Sequence, residues 1–515
     1  MSRPNILSPV IVAASQTTIG ALFRAGAKVR PNVVALEQNG VQRTYGALLD
    51  RVQRLAQGLA SLGITRGDRV ALLAHNRMEY PEVELAAGML GAVTACLNWR
   101  LVARELQHCI NLVEPKLVIL EEGLEPSLTG LDLVPHERLR LGPQFEALLA
   151  RMPAGDVPIL AEPEDGLVIV YTSGTTGLPK GAMVSHRAML TRSLLFASDL
   201  GLAPDDAFVA WAPYFHMAST DQGLATLLRG GTVIIIDGYQ AGPMIEAAQR
   251  HRIGWYVLIP GMIDGFMQAF QAANATPLGI RVCGAMADLV PPQQIAGVSR
   301  LLGAPYVNSF GSTETGLPPA SRGLLTMGET PKSLSKLQSN FCEVKLVDAD
   351  DREVETGAPG EVAVRGPTLF LGYWNAAETN AKDFRGGWFH MGDVMRRNAD
   401  GSLDFVDRAK YMIKTGGENV YPAEIEKVLL GEPRVLDVAV VRARDDRWGE
   451  APVAFVATRD ASLTANDLLA RCRAELASYK RPREVHFIAF EDFPRSTTGK
   501  IQRHEMEARL AKARS

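Results

Sequence analysis

Apolar and polar positions follow two rhythms that repeatedly replace one another along the chain. "YGALLDRVQRLAQGLASLG", from Tyr45 to Gly63, sets apolar side chains at helical spacing and ends on a glycine suited to a C-cap. "DRVALLAHN" is a short apolar run of the kind that makes a buried strand, and "EYPEVELAAGMLGAVTACLN" reads as a helix followed by a strand. Strand-like runs return in "PKLVILEE", "DGLVIVYTSG", "DAFVAWAP", "GTVIIIDG", "WYVLIP", "IRVCGA" and "APYVNSFGS". Such alternation predicts an α/β layer architecture. In open parallel sheets ligands gather beyond the carboxyl ends of the strands, which directs attention to the loops there.

Between Glu343 and Val406 the texture changes. "VKLVDADDREVETGAPGEVAVRGP" and "GWFHMGDVMRRNADGSLDFVDR" are short strands joined by Asp/Gly turns and predict an antiparallel, barrel-like subdomain. After "FVDRAKYMIKTGG" a mixed pattern resumes in "YPAEIEKVLLGE", "VLDVAVVRAR", "PVAFVAT" and "LLARCRAELASYK", which suits a small α+β unit. The expected fold is therefore multidomain α/β. A large N-terminal domain over 1–409 would hold two α/β subdomains and the barrel-like one, and a small α+β C-terminal domain would occupy 410–515.

Composition narrows the classes. A chain of 515 residues exceeds what one core usually serves, and 47% hydrophobic with 22% charged residues is ordinary for a globular protein. A net charge of −3 makes no electrostatic case for nucleic acid or an anionic membrane surface. Cys96, Cys109, Cys283, Cys342 and Cys472 form no CxxC pair, as expected of buried thiols in a reducing compartment rather than a disulfide framework or zinc site. "MSRPNILSPVIVAASQTTIG" lacks the h-region of a signal peptide, and no window approaches the roughly 18 apolar residues of a membrane span. "ARLAKARS" carries no lipidation or peroxisomal signal, so the expected location is cytoplasmic.

Candidate chemistry begins at "YTSGTTGLPKG", Tyr171 to Gly181. A loop of Gly and Ser/Thr after a buried strand can curl its N–H groups inward as an anion nest, with hydroxyls as further donors and a lysine as charge; phosphate is the natural guest. Taken alone the segment also reads as a flexible surface turn. It is not the usual nucleotide loop, because Pro179 precedes Lys180 and Gly181 follows it. "HEMEA" lacks the second histidine of HExxH and no GxSxG elbow occurs, which sets aside metalloprotease and serine-hydrolase readings.

Four further motifs follow in order: "SFGSTETG" from Ser309, "GWFHMGD" from Gly387, "DRAKYMIKTGGENVYPAEIE" from Asp407 and "PRSTTGKIQR" from Pro494. With the opening loop they resemble the adenylate-forming superfamily, which includes acyl- and aryl-CoA synthetases, adenylation domains and beetle luciferases. The resemblance runs from Thr44 to Lys500 and implies that a carboxylate attacks the α-phosphorus of ATP, with charge neutralised by the protein and Mg²⁺. It implies that Thr172, Ser173, Gly174, Thr175, Thr176, Gly177 and Lys180 cover the β- and γ-phosphates. Thr313 would contact the α-phosphate, and Glu314 with Thr172 would hold Mg²⁺. Asn308, Ser309, Phe310, Gly311 and Ser312, with the backbone of Gly284 and Ala285, would form the adenine site. Phe310 stands where relatives usually carry Tyr, and Cys283 where they often carry a glycine.

By the same resemblance Asp393 would accept both ribose hydroxyls, assisted by Arg408. Lys500 would reach the substrate carboxylate and the oxygen by the α-phosphate. A mobile small domain would turn about Lys410 and present Lys414, Gly416, Gly417 and Glu418 to the thiol of CoA, the glycines leaving room for a pantetheine arm. His216 matches a position between the nucleotide and acyl pockets, and reads equally as a core histidine. Met217, Thr220, Ile259, Met262, Ile263, Met286 and Gly316 are the acyl-pocket candidates. They are mostly apolar, with no fixed charge to select an α-amino group, Asp221 reading as structural or solvated.

The expected function is an AMP-forming ligase of an apolar medium-chain, alicyclic or aromatic acid with CoA. The alternatives are an acyl-AMP ligase that loads a carrier protein's pantetheine, a luciferase-type oxygenase, and a nucleotide-binding protein without turnover. The chain ends soon after Lys500, which favours free CoA over a fused carrier. A homodimer is expected by family habit.

Overall fold

Leu167, Val168, Ile169 and Val170 are apolar at every position because the strand they form is buried on both faces. The computed structural model describes residues 14–172, 178–415, 418–445, 448–495 and 499–514. They divide between two units: Met1–Gly254 with Gly311–Pro318 and Gly366–Lys382, and Trp255–Phe310 with Pro319–Arg365 and Asp383–Ser515.

In the first unit, the strand Gly166–Thr172 belongs to a seven-stranded sheet in the order Gly372–Tyr373, Lys180–Ser185, Gly166–Thr172, Val93–Cys96, Arg69–Leu73, Leu117–Leu120, Glu137–Arg140. The last five run parallel, and the first two pair antiparallel. The helix Glu79–Leu90 is buried nearly all round, so its sequence shows no single apolar face. Its Glu82 is held by Arg43 and by Arg51, whose Nε lies 2.7 Å away. The helix Tyr45–Ser61 ends as expected, with Gly63 left-handed at φ +80°.

A second sheet of this unit orders Val41–Thr44, Val34–Gln38, Val233–Ile235 and Phe208–Ala210. Asn76 ties it to the first. Its Nδ2 reaches the carbonyls of Ala210 and Trp211 (both 3.2 Å), Ala212 (2.8 Å) and Ile236 (2.9 Å), and its Oδ1 accepts from Tyr214 N at 2.9 Å. The segment that leads to His216 is set by this one amide.

Among the described residues the second unit contains three sheets. Ile280–Cys283 and Tyr306–Val307 are parallel neighbours in one. Glu343–Val347, Pro359–Arg365, Phe389–Arg397 and Leu403–Arg408 form an antiparallel sheet in that order. Among the described residues no pairing joins its first strand to its last, so the region expected to be barrel-like stands as an open antiparallel sheet. The third sheet orders Glu418–Val420, Ile413–Thr415, Gly449–Thr458 and Val435–Asp445, with Glu484–Phe487 beside Gly449–Thr458. Val438 and Val440 face a core with Ile425, Leu429 and Leu468; Ala439 and Val441 face another with Phe493, Met506 and Leu510. "VLDVAVVRAR" is apolar in succession because helices cover both faces.

All five cysteines are free and buried, as expected. Among the described residues no helix is long and apolar enough to cross a membrane.

Replacing Asn76 by Ala orphans several buried backbone groups at once. At about 1–3 kcal/mol for an unsatisfied buried group, a loss of roughly 3 kcal/mol is expected. Urea unfolding of Asn76→Ala, read as the midpoint shift at unchanged slope, measures it.

Candidate active site

The strands on either side of the opening loop pair antiparallel. Thr172 pairs with Lys180 and Tyr171 with Gly181, so the ends of the loop face each other. Ser173, Gly174, Thr175, Thr176 and Gly177 lie outside the described residues. Lys180 Nζ stands 3.8 Å from the centroid of the Tyr373 ring, and the Tyr373 hydroxyl donates to Glu314 Oε1 at 2.7 Å. The first unit thus joins the loop lysine to the carboxylate of "STETG" through one phenol.

Residues 311–316 form a tight turn. Gly316 N donates to Ser312 O at 2.8 Å and Ser312 N to Thr315 Oγ1 at 3.0 Å, while Thr313 and Glu314 are nearly buried. The turn is held from the helix His186–Leu200 by Arg192, whose Nη2 donates to Thr313 O (3.0 Å) and Glu314 O (2.9 Å) and whose Nε donates to Thr368 O (2.9 Å). Its Nη1 meets Asp221 Oδ2 at 3.2 Å, with both side chains under 5% exposed. Burial draws Arg192 down and Asp221 up from their ordinary values, and each is opposed by the charge of the other. Asp221 is therefore structural. Gly316, expected as an acyl-pocket wall, instead makes room for Arg192: a Cβ there would fall 2.7 Å from Arg192 Cδ, and φ is +70°.

In the second unit Gly284, at φ +76°, lies flat on the Tyr306 ring, where a Cβ would come within 2.0 Å of it. The carbonyl of Gly284 accepts from Trp255 Nε1 (2.8 Å) and that of Ala285 from the Tyr306 hydroxyl (2.8 Å). Ser309 Oγ accepts from Met286 N, and Phe310 is buried 6.3 Å from Phe405. Asn308 departs from expectation. Its side chain is fully buried, Nδ2 donating to Leu334 O at 2.6 Å and Oδ1 accepting from Lys336 Nζ at 2.5 Å. An amide engaged at both ends is a structural strut rather than an adenine partner. Lys336, itself buried, also meets Asp288 Oδ2 at 2.5 Å.

Asp393 and Arg408 face each other across antiparallel strands, Arg408 Nε donating to Asp393 Oδ1 at 3.1 Å. Lys500 comes to the same place. Its side chain is exposed by area, yet the protein crowded about its ammonium and then the charge of Arg408 push it down to about 8, with Asp393 opposing. Exposure and lowered basicity point opposite ways; the repulsion by Arg408 acts with the crowding, so the downward direction holds. Lys410 lies exposed in the turn Ala409–Tyr411, and Lys414 N donates to Glu450 Oε2. Glu418 pairs across from Thr415, while Gly416 and Gly417 lie outside the described residues.

His216 caps the helix Met217–Arg229, its Nδ1 accepting from Ala218 N at 3.2 Å. That bond leaves the proton of the neutral ring on Nε2. Two further pocket candidates are enclosed. Thr220 is fully buried with its hydroxyl on Tyr214 O and Glu84, and Ile263 is a core residue of the helix Ile263–Ala272. Glu84 itself is raised to about 8 by burial, with Asp221 adding to the shift. Met217 is buried in the first unit; Ile259, Met262 and Met286 are half-buried in the second, with Ile259 against the Gly499 turn. Arg192, Tyr373 and Lys336 escape sequence reasoning, since none lies in a motif that carries a local signal.

Comparison with known proteins gives a consistent answer. A family model described as AMP-binding enzyme matches residues 23–374, and one described as AMP-binding enzyme C-terminal domain matches 424–500. A feruloyl-CoA synthase of Amycolatopsis sp is 35% identical over 94% of this chain and 97% of its own. An indoleacetate–CoA ligase of Aromatoleum aromaticum is 32% identical over the same shares. Among solved structures, an anthranilate CoA ligase in complex with anthranoyl-AMP shares the fold at a TM-score of 0.86 and 24% identity, covering 97% of this chain and 98% of that one.

Arg192→Met removes the charge and keeps an apolar stem, leaving the Asp221 carboxylate buried without its partner. A loss of about 3–5 kcal/mol is expected by chemical denaturation, against at most about 1 for a surface pair. Arg192→Met with Asp221→Leu recovers part of that stability, because the orphaned charge is gone while the carbonyls of Thr313, Glu314 and Thr368 still lack their donor.

Proposed function

The chain belongs to the AMP-binding enzyme family, in the AMP-forming acyl- and aryl-CoA synthetase branch of the adenylate-forming superfamily, and from this we propose that its acid is a bulky apolar one built on an aromatic ring. It is a ligase that uses ATP to join a carboxylic acid to CoA. The ring is supported by the feruloyl-CoA synthase, the indoleacetate–CoA ligase and the 2-succinylbenzoate–CoA ligases among its relatives, each named for an acid with an aromatic ring. The apolar character of Met217, Ile259, Met262 and Met286 supports it too.

In the first half-reaction a carboxylate oxygen bonds to the α-phosphorus of ATP and the bond to pyrophosphate breaks. In the second the sulfur of CoA bonds to the acyl carbon and AMP leaves. Lys500 offers its ammonium to the two anions that must meet, Thr313 donates to the α-phosphate, and Lys180 with the opening loop takes the β- and γ-phosphates. Asp393 accepts the ribose hydroxyls and Arg408 steadies it. His216 borders the acid, and turning about Lys410 would bring Lys414, Gly416, Gly417 and Glu418 to the CoA arm.

Glu314 and Thr172 offer hard oxygen donors for Mg²⁺, which when bound supplies neutralisation of phosphate charge. Mg²⁺ usually takes one or two protein carboxylates together with substrate phosphates, a demand that Glu314 could meet. The observation that carries the reading is the pairing of Asp393 with Arg408 across antiparallel strands, with Lys500 near enough to feel both charges, three residues from three separate motifs.

Acid-dependent pyrophosphate release with Mg·ATP, measured over ring acids, straight-chain acids and amino acids with and without CoA, tests it. Ring acids are expected to give the highest kcat/KM and an acyl-CoA product; preference for a straight-chain acid, or an acyl-AMP that ignores CoA, would overturn it. Lys500→Ala is expected to lower release about 10²–10³-fold. With Lys500 depressed to about 8, its cation is present below that pH and lost above it. The kcat/KM of adenylation therefore falls as pH rises through about 8, and Lys500→Arg removes this alkaline limb.

A further inference from the structure

Tyr373 stands between two charged groups of the first unit that are far apart in sequence. Its hydroxyl donates to Glu314 Oε1 at 2.7 Å, and its ring carries Lys180 Nζ 3.8 Å from the centroid. The placement follows from the backbone. The strand Gly372–Tyr373 pairs antiparallel with Lys180–Ser185, Tyr373 opposite Ala182, and Trp374 N donates to Gly181 O at 2.8 Å. Asn380 clamps the peptide from both sides, Oδ1 accepting from Tyr373 N and Nδ2 donating to Tyr373 O, each at 2.8 Å. Phe370 meets the ring edge-on at 4.9 Å, and the tyrosine is 6% exposed. Such a ring has one position available to it.

We propose that Tyr373 is a positioning residue that sets Lys180 and Glu314 as a pair for the polyphosphate end of ATP and its divalent cation. The inference rests on the reading that Lys180 meets the terminal phosphates and Glu314 holds the metal. A ring face attracts an ammonium without adding a negative charge beside it, so Lys180 is directed while its charge stays available to phosphate. The hydroxyl fixes the Glu314 carboxylate through one oxygen, a charge-assisted bond in a nearly buried setting. One phenol on a clamped strand thus prepays the alignment of two groups contributed by different loops.

Tyr373→Phe keeps the ring and removes only the hydroxyl; Tyr373→Leu removes both. Mn²⁺ is titrated into each protein with ATP and followed by electron paramagnetic resonance, and ATP alone is titrated by equilibrium dialysis. The Phe variant is expected to bind Mn²⁺ about tenfold more weakly, the effect of one lost bond to a charged group, while its affinity for ATP alone stays within roughly twofold. The Leu variant is expected to lose affinity in both titrations. Wild-type Mn²⁺ binding by the Phe variant overturns the proposal, as does unchanged ATP affinity in the Leu variant. If Tyr373→Leu does not fold, the Phe variant decides alone. Pyrophosphate release by the wild type keeps the two readings apart: release with no shift in the variants sinks the proposal alone. The expected binding shifts without release for any acid would sink the reading of the reaction and leave the role of Tyr373 standing.

Discussion

A guanidinium buried in the first unit imposes the constraint on which the candidate site depends. Arg192 is out of water, and a buried cation is tolerable only when its donors all find acceptors. Its acceptors are three backbone carbonyls and one carboxylate, and the carbonyls come from two segments more than a hundred residues downstream. Satisfying one side chain therefore fixes the course of 313–314 and of 368. Gly316 follows from it, because any side chain there would strike the arginine. So does the carboxylate of Asp221, whose charge in turn helps keep Glu84 protonated at neutral pH.

The second unit solves a different electrostatic problem. Asp393 acts on two cations, bonding Arg408 and opposing the loss of charge at Lys500. A half-exposed pair such as Asp393 with Arg408 contributes little to stability, at most about 1 kcal/mol. Its consequence lies in the lysine, which loses basicity because crowding and Arg408 outweigh Asp393. An arriving anion reverses that balance and restores the proton, so the charge of Lys500 is linked to whatever lies beside it. Lysine suits the part: a compact ammonium shifts readily, whereas an arginine at 500 would stay charged in every state.

The sheets and helices were largely legible, because burial on one face or two leaves period-2, period-3.6 or continuous apolar runs. The open sheet from Glu343 to Arg408 was readable as antiparallel but not as open, since closure is a matter of partners distant in sequence. The opening loop was read as following a buried strand, but "LPKG" hides that Lys180 begins a strand returning along Gly166–Thr172. Motif residues stand out because glycines, hydroxyls and charges recur there in the order and spacing of the family they resemble. The acyl pocket does not, because an apolar wall and an apolar core draw on the same residue types. Thr220 and Ile263 illustrate it, both fully buried. Asn308 fails for a related reason: an amide that could pair with adenine pairs equally well with Lys336 and the Leu334 carbonyl.

A division of labour follows. Side chains that touch ligands are concentrated on loops and at the ends of the strands they join, and short loops keep them contiguous in sequence, so they form motifs. Side chains that hold those loops must come from elsewhere in the fold, since a loop cannot brace itself; Arg192 reaches the "STETG" turn from a helix and Tyr373 from a two-residue strand. Supports of this kind carry no local signature, yet they decide whether the motif residues stand where the reaction needs them. Two chains could share all five motifs and differ in these supports, with the same chemistry available and a different alignment of it.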